Sequence, residues 1–332
     1  MSKVTTLSLI GDQGPHFDIL RSNGFEVDVA PRDISLFDED NVISVLADSE
    51  ASIAGSEPYS RKVIQALPNL RAITRSGVGF DRVDLEACNK AGVVVTTTPG
   101  VNHHAVAEHT IALLMGIARG FPDLDRRVRK GHWNRCARPR VMGSTLGVVG
   151  LGRIGQAVAT RAVGLGMKVL AHEWDPNNEF VEQWNIELVS LVDLLQQSDF
   201  VSLHLPMSEQ NRHVMNTAAF GRMKQGSVLI NTARGGLVDE RALCESLQSG
   251  HLRAAGLDVF EVEPLPSDSP LLQLDNVLMS SHIAGLDIQS QHDMFAMVAN
   301  TLVELYNGGW PAECIQNLKG VTDWCWNRKS TV

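Results

Sequence analysis

Three short segments carry the side chains with the most chemistry to offer, and each follows an apolar run of strand length. Asn231-Thr232-Ala233-Arg234-Gly235-Gly236 sets a guanidinium among small residues. Its planar fork can grip a carboxylate through two parallel hydrogen bonds, which a lysine cannot match. Ser280-Ser281-His282-Ile283-Ala284-Gly285 sets an imidazole just past its own run. Imidazole titrates near neutral pH, so it can exchange a proton with a substrate oxygen. Leu257-Asp258-Val259-Phe260-Glu261-Val262-Glu263-Pro264 supplies carboxylates that could pair with His282, orient its ring and favour its charged form. The segment alone leaves Glu261 and Glu263 as alternatives, and a solvated acidic loop is the plainer reading of both. An Arg after a strand is commonly a surface charge, and a His at a strand end a structural residue. His103, His104 and His204 share that ambiguity.

Such segments meet only if a sheet brings strand ends together, and open parallel sheets bind ligands off their carboxyl ends. The sequence spells such a sheet twice. Strand-like runs at Thr6 to Ile10, Glu26 to Ala30, Ser52 to Ala54, Arg71 to Thr74 and Val93 to Thr96 alternate with helical stretches at Phe17 to Ser22, Ser60 to Ala66 and Val83 to Ala91. Pro99-Gly100 breaks the pattern. A second series runs from Thr145, with strands to follow at Lys168 to Ala171, Phe200 to Leu203, Ser227 to Asn231, Ala254 to Asp258 and Val277 to Ser280. Helices fit at Gln156 to Ala162, Ser190 to Gln197, Asp239 to Ser249 and Ile288 to Tyr306. The fold class expected is α/β, two doubly wound parallel-sheet domains. His104 to Arg119 reads as a helix apolar on most faces, implying burial at a domain or subunit contact. Residues 120–143 are polar and basic and read as a crossing arm. The stretch from 308 to 332 holds three tryptophans without a clear period, and its last residues are expected to be mobile.

The second series opens on Gly147-Val148-Val149-Gly150-Leu151-Gly152-Arg153-Ile154-Gly155. Gly-x-Gly-x-x-Gly at Gly150, Gly152 and Gly155 follows a strand and opens a helix, and acidic Glu173 ends the next strand about 20 residues on. In that setting the first glycine permits a tight turn, the second lets backbone approach a pyrophosphate, and the third lets helix pack on strand. The helix start offers free N–H groups to the anion. Glu173 could accept from both ribose hydroxyls and would repel a 2′-phosphate, so NAD is the expected cofactor; Asp175 is a rival for that part. An ordinary tight turn is the bland alternative, and the context argues against it.

The 332 residues suffice for two domains, and 44% hydrophobic content suits a globular chain. A net charge of −9 argues against a nucleic-acid partner. No apolar stretch reaches membrane-spanning length. The five cysteines are odd in number and lack CxxC spacing, so reduced thiols, a cytoplasmic setting and no metal are expected.

Together these segments resemble the D-isomer-specific 2-hydroxyacid dehydrogenase family, most of all its phosphoglycerate dehydrogenases. The likeness runs over about residues 50 to 300. It also draws on Arg75-Ser76-Gly77-Val78-Gly79-Phe80-Asp81, Thr98-Pro99-Gly100-Val101-Asn102 and Val106-Ala107-Glu108-His109. The resemblance implies hydride transfer between NAD and C2 of a small D-2-hydroxy or 2-oxo acid. It casts Arg234 as substrate binder, His282 as acid/base and Glu263, which directly precedes the proline, as its partner. It places cofactor contacts on Val78, Arg153, Ile154, Glu173, Leu205, Thr232, Ala233, Arg234, Asp258, His282 and Gly285 beside the loop glycines, with Asp258 holding the nicotinamide amide. It assigns the substrate carboxylate to the backbone of Gly77, Val78 and Gly79, and a second anionic group to Arg75. It implies a substrate domain of residues 1–101 completed by 289–332, an NAD-binding domain of 102–288, an interdomain cleft, and a homodimer through 102–143. A dehydrogenase-shaped NADH sensor without turnover is the second reading of the same motifs. Glu173 stands where the family more often has Asp, and the tryptophan-rich tail is unfamiliar.

Overall fold

The computed structural model describes residues 1–133, 135–321 and 323–327. The chain divides into two compact units, Met1–Asn102 with Asp287–Val332, and His103–Leu286. Unit 1 runs β1 (Lys3–Thr6), α1 (His16–Ser22), β2 (Glu26–Val29), α2 (Glu39–Leu46), β3 (Ala51–Ala54), α3 (Arg61–Ala66), β4 (Ala72–Arg75), α4 (Leu85–Ala91) and β5 (Val94–Thr96). Unit 2 runs α5 (His103–Arg119), α6 (Phe121–Arg129), β6 (Thr145–Val149), α7 (Arg153–Gly164), β7 (Lys168–His172), α8 (Asn178–Gln183), β8 (Glu187–Leu188), α9 (Leu191–Gln197), β9 (Phe200–Leu203), α10 (Thr217–Arg222), β10 (Val228–Asn231), α11 (Glu240–Gln248), β11 (Ala254–Leu257) and β12 (Val277–Met279). The long α12 (Ile288–Tyr306) returns to unit 1.

Unit 1 is a five-stranded parallel sheet in the order β2-β1-β3-β4-β5. Alternate residues face opposite layers. Val4, Ile53, Ala72 and Val94 pack on Phe295, Val298 and Leu302 of α12. Leu7, Ala54, Ile73 and Val95 pack on Val42, Val63 and Ala87 of α2, α3 and α4. Short polar side chains start the helices: Asp84 accepts from Ala87 N at 2.8 Å and Asp287 from Ser290 N at 2.6 Å, each satisfying an amide the helix cannot.

The first strand lies earlier than expected, because residues 7–11 turn. Leu7 N and Ser8 N both donate to Ile53 O, at 2.9 and 3.3 Å, and Gly11 N closes back on Ser8 O at 2.9 Å. The tryptophan-rich tail belongs to the unit 1 core. Trp326 is 3% exposed and meets Phe25 and Tyr306 edge-on. Its indole donates to Glu50 at 2.7 Å, while Arg71 donates to the Trp326 and Cys325 carbonyls at 2.9 and 2.7 Å. The expected mobility fell on the last few residues, and 328–332 lie outside the described residues.

Unit 2 is a seven-stranded parallel sheet in the order β12-β11-β10-β9-β6-β7-β8. One face packs on α9, α10 and α11 through Val149, Leu203, Leu229 and Leu257. The other packs on α5 and α7 through Leu146, Val148, Ile230 and Ala254. The apolar side of α5 is thus used inside its own unit, with Ala107, Leu113, Leu114 and Ala118 buried there. Part of the expected arm is a helix: α6 opens with Pro122 and is laced by Arg127–Asp123 and Arg129–Asp125 pairs one turn apart.

Candidate active site

Strand order decides which side chains can meet. Arg234 follows β10, the 258–264 loop follows β11, and His282 follows β12; these are three neighbouring parallel strands, so all three loops leave one edge of the sheet. His282 Nδ1 lies 2.8 Å from Glu263 Oε2, and the other carboxylate oxygen of Glu263 accepts from Phe260 N at 3.0 Å. The carboxylate is therefore clamped between a backbone amide and the ring. A carboxylate acceptor fixes the proton on Nδ1 and leaves Nε2 for chemistry. The Glu263 side chain is 16% exposed and that of His282 40%, so the pair has a buried root and an accessible ring. Glu261 is spent elsewhere: it pairs with His213, and its amide donates to Glu240 at 2.7 Å. Burial raises the pKa of that Glu240 carboxyl.

The Arg234 loop is tied by Asn231, a side chain that sequence reading passed over. It donates to Arg234 O at 2.8 Å and accepts from Ala233 N at 3.0 Å, a short polar side chain closing its own turn. Gly235 does more than bare the arginine. A Cβ there would lie 1.8 Å from the Phe260 carbonyl carbon, so only glycine lets this loop press against the loop that carries Glu263. Thr232 bonds Thr110 of α5 at 2.8 Å. Asp258 is fully buried, and its two oxygens accept from Ser280 Oγ, Ile283 N and Ala284 N at 2.6, 3.0 and 2.8 Å.

The order of strands reverses between β6 and β9, the place where such sheets hold nucleotides. Gly150 follows β6 at φ +95°, and a Cβ there would meet His204 O at 2.7 Å and Leu205 Cδ2 at 3.1 Å. A Cβ on Gly155 would come within 2.1 Å of Gly150 O, so its absence lets α7 sit on the loop. Gly152 caps α7 with no side-chain bond, and the space where its Cβ would stand is open. The amides of Arg153 and Ile154 thus begin the helix where an anion can reach them. Glu173 follows the neighbouring strand β7 and accepts from Leu151 N at 2.6 Å and Trp174 N at 2.7 Å, seating its negative charge against the loop. These residues fit a dinucleotide: a side-chain-free helix start for the pyrophosphate and a carboxylate for the ribose. Asp175 donates its amide to Glu173 at 3.3 Å. Of the ambiguous histidines, His204 contacts Ser202 Oγ at 2.8 Å, and burial lowers its pKa to about 3. Gly285 follows the His282 segment in unit 2.

The remaining candidates lie in unit 1. Arg75 ends β4 and donates to Gly79 O at 2.8 Å. Gly77 has φ +152°, with nothing near the position of a Cβ, and Val78 is 38% exposed.

A family model described as D-isomer specific 2-hydroxyacid dehydrogenase, NAD binding domain, matches residues 111–284. The chain belongs to the D-isomer-specific 2-hydroxyacid dehydrogenases. It is 41% identical over 266 residues to a glyoxylate reductase of Korarchaeum cryptofilum, covering 78% of this chain and 80% of that one. It is 38% identical over 294 residues to a D-3-phosphoglycerate dehydrogenase of Archaeoglobus fulgidus, covering 88% of this chain and 55% of that one. The TT0316 protein of Thermus thermophilus superposes with a TM-score of 0.86 at 34% identity, over 94% of this chain and 99% of its own. This dehydrogenase is NAD-dependent, and the match to the NAD binding domain model lies within unit 2. Among the described residues no helix is long and apolar enough to cross a membrane, and no group of side chains is arranged to hold a metal.

Proposed function

We propose that this dehydrogenase interconverts a small D-2-hydroxy acid and its 2-oxo acid, with His282 as the proton carrier. The observation that carries the reading is the His282–Glu263 hydrogen bond at 2.8 Å, between the loops that follow β12 and β11, next to the arginine loop after β10. Bound NAD supplies the hydride acceptor in one direction and, reduced, the donor in the other. In oxidation, neutral His282 takes the hydroxyl proton at Nε2 as C2 gives up its hydride. In reduction, the protonated ring returns that proton to the carbonyl oxygen. Glu263 holds the ring and offsets its positive charge, and Arg234 grips the substrate carboxylate. By family resemblance, the backbone at Gly77, Val78 and Gly79 also receives that carboxylate, and Arg75 a second anionic group. By the same resemblance Thr232 and the Gly150–Gly155 loop line the cofactor side, while Asp258, fully buried with both oxygens accepting from the chain, stands behind it. The names of the two relatives point to glyoxylate and phosphoglycerate as the first acids to try, with hydroxypyruvate, sulfonated and bulkier hydroxy acids after them. Residues 1–101 with 289–332 form the substrate domain and 102–288 the NAD domain. The five unpaired cysteines favour a reducing, cytoplasmic setting. The chain self-associates through 102–143.

The test is a spectrophotometric screen of 2-oxo acids with NADH and with NADPH. At least one small 2-oxo acid should oxidise NADH, and NADPH should be the poorer donor because Glu173 repels its extra phosphate. Tight NADH binding with no turnover on any acid contradicts the proposal.

A further inference from the structure

His282 occupies a backbone conformation that residues with a side chain avoid, at φ +56°. Something must hold the loop there. The anchor is the buried Asp258: its carboxylate accepts from the two amides that follow His282, and its carbonyl accepts from His282 N at 2.8 Å. A carboxylate this deep is costly unless its lone pairs are filled. Ser280 fills one, and the single proton of its hydroxyl is spent in doing so. His109 Nε2 stands 2.8 Å from that same hydroxyl oxygen and 3.6 Å from Asp258 Oδ1. With the serine proton already committed, His109 must be the donor, so its Nε2 carries hydrogen. His109 projects from α5, whose buried face is fixed in the unit 2 core.

We propose that His109 is a positioning residue for His282: its Nε2–H closes a chain through Ser280 to Asp258 that locks loop 280–284 and so aims the ring at position 282. The kinetic consequence rests on His282 being the proton carrier; the structural consequence does not. Without the imidazole, Ser280 loses a donor and can rotate away from Asp258. The anchor weakens, and the loop relaxes from its strained backbone.

The test uses the full chain in two variants. His109→Leu removes the donor while keeping an apolar side chain on α5. His109→Gln restores one, because the amide nitrogen of glutamine reaches about as far as Nε2. Hydrogen exchange of the 280–286 segment is read without ligand, and steady-state kinetics with NADH and a 2-oxo acid follow. His109→Leu should speed exchange in that segment ~10-fold and lower kcat ~10-fold, as loss of one charge-linked hydrogen bond implies, with KM changed less. His109→Gln should restore both towards the parent values. Unchanged exchange in His109→Leu, or a glutamine variant as impaired as the leucine one, overturns the proposal. A parent chain that turns over no 2-oxo acid would sink the functional reading alone, because the exchange comparison needs no turnover.

Discussion

In the proposed reaction a guanidinium and a clamped imidazole divide the work at the residue scale: Arg234 would hold the acid and His282 would move its proton. Arginine matters for shape as well as charge, because two parallel donors orient a carboxylate where an ammonium only attracts it. Arg234→Lys should therefore lower kcat/KM roughly 10- to 100-fold, the loss of one charge-assisted hydrogen bond, with NADH affinity little changed. A lysine variant with parental kcat/KM would remove Arg234 from the substrate. These side chains were visible in the sequence because each follows a strand-like run. Their supports were not. Nothing in the residue order says that Asn231 closes the arginine turn, or that Gly235 must be bare because another loop's backbone lies against it. Glu261 and Glu263 are separated by their partners, His213 and His282, which lie 48 and 19 residues away from them.

Elements with a strong apolar run were legible, even ones as short as β3 and β5, and polar ones were not. β9 and α12 span the residues expected of them, the first buried along its length, the second with Met294, Phe295, Val298, Leu302 and Leu305 on one face. The helices α6 and α8 bury no residue; α6 has Phe121, Leu124 and Val128 at helical spacing, but the charges between them make the segment read as a polar arm. The tail is the sharper case. Its tryptophans show no helical or strand period because they pack as single side chains, Trp326 into a site made by Phe25, Tyr306 and Glu50. A buried indole of this kind contributes to the stability of unit 1. Trp326→Ala should cost about 3 kcal/mol in denaturant unfolding, with kinetic constants measured at low temperature nearly unchanged. A loss below about 0.5 kcal/mol would mean that the tail only rests on the surface.

The whole molecule repeats one architecture without repeating a sequence, and each parallel sheet is covered on both faces, which is why its strands read as continuous apolar runs. Unit 2 leaves large apolar side chains uncovered along one stretch: Phe121, Val128, Trp133 and Met142 are 64, 53, 80 and 61% exposed. A second copy of the chain is the occupant we propose for them. Light scattering should give twice the mass of one chain, and Phe121→Asp with Val128→Asp should return it to the mass of one; a parent chain that is already monomeric contradicts this.

The proposed chemistry depends on the ring at position 282, and the comparison that checks it is NADH affinity and turnover of a 2-oxo acid, parent against His282→Gln. Glutamine keeps a hydrogen-bonding side chain of similar reach but cannot carry the proton. NADH affinity should stay within about twofold of the parent while kcat falls roughly 10²- to 10⁴-fold, the usual share of a general acid/base. Turnover that survives the substitution unchanged would contradict the account.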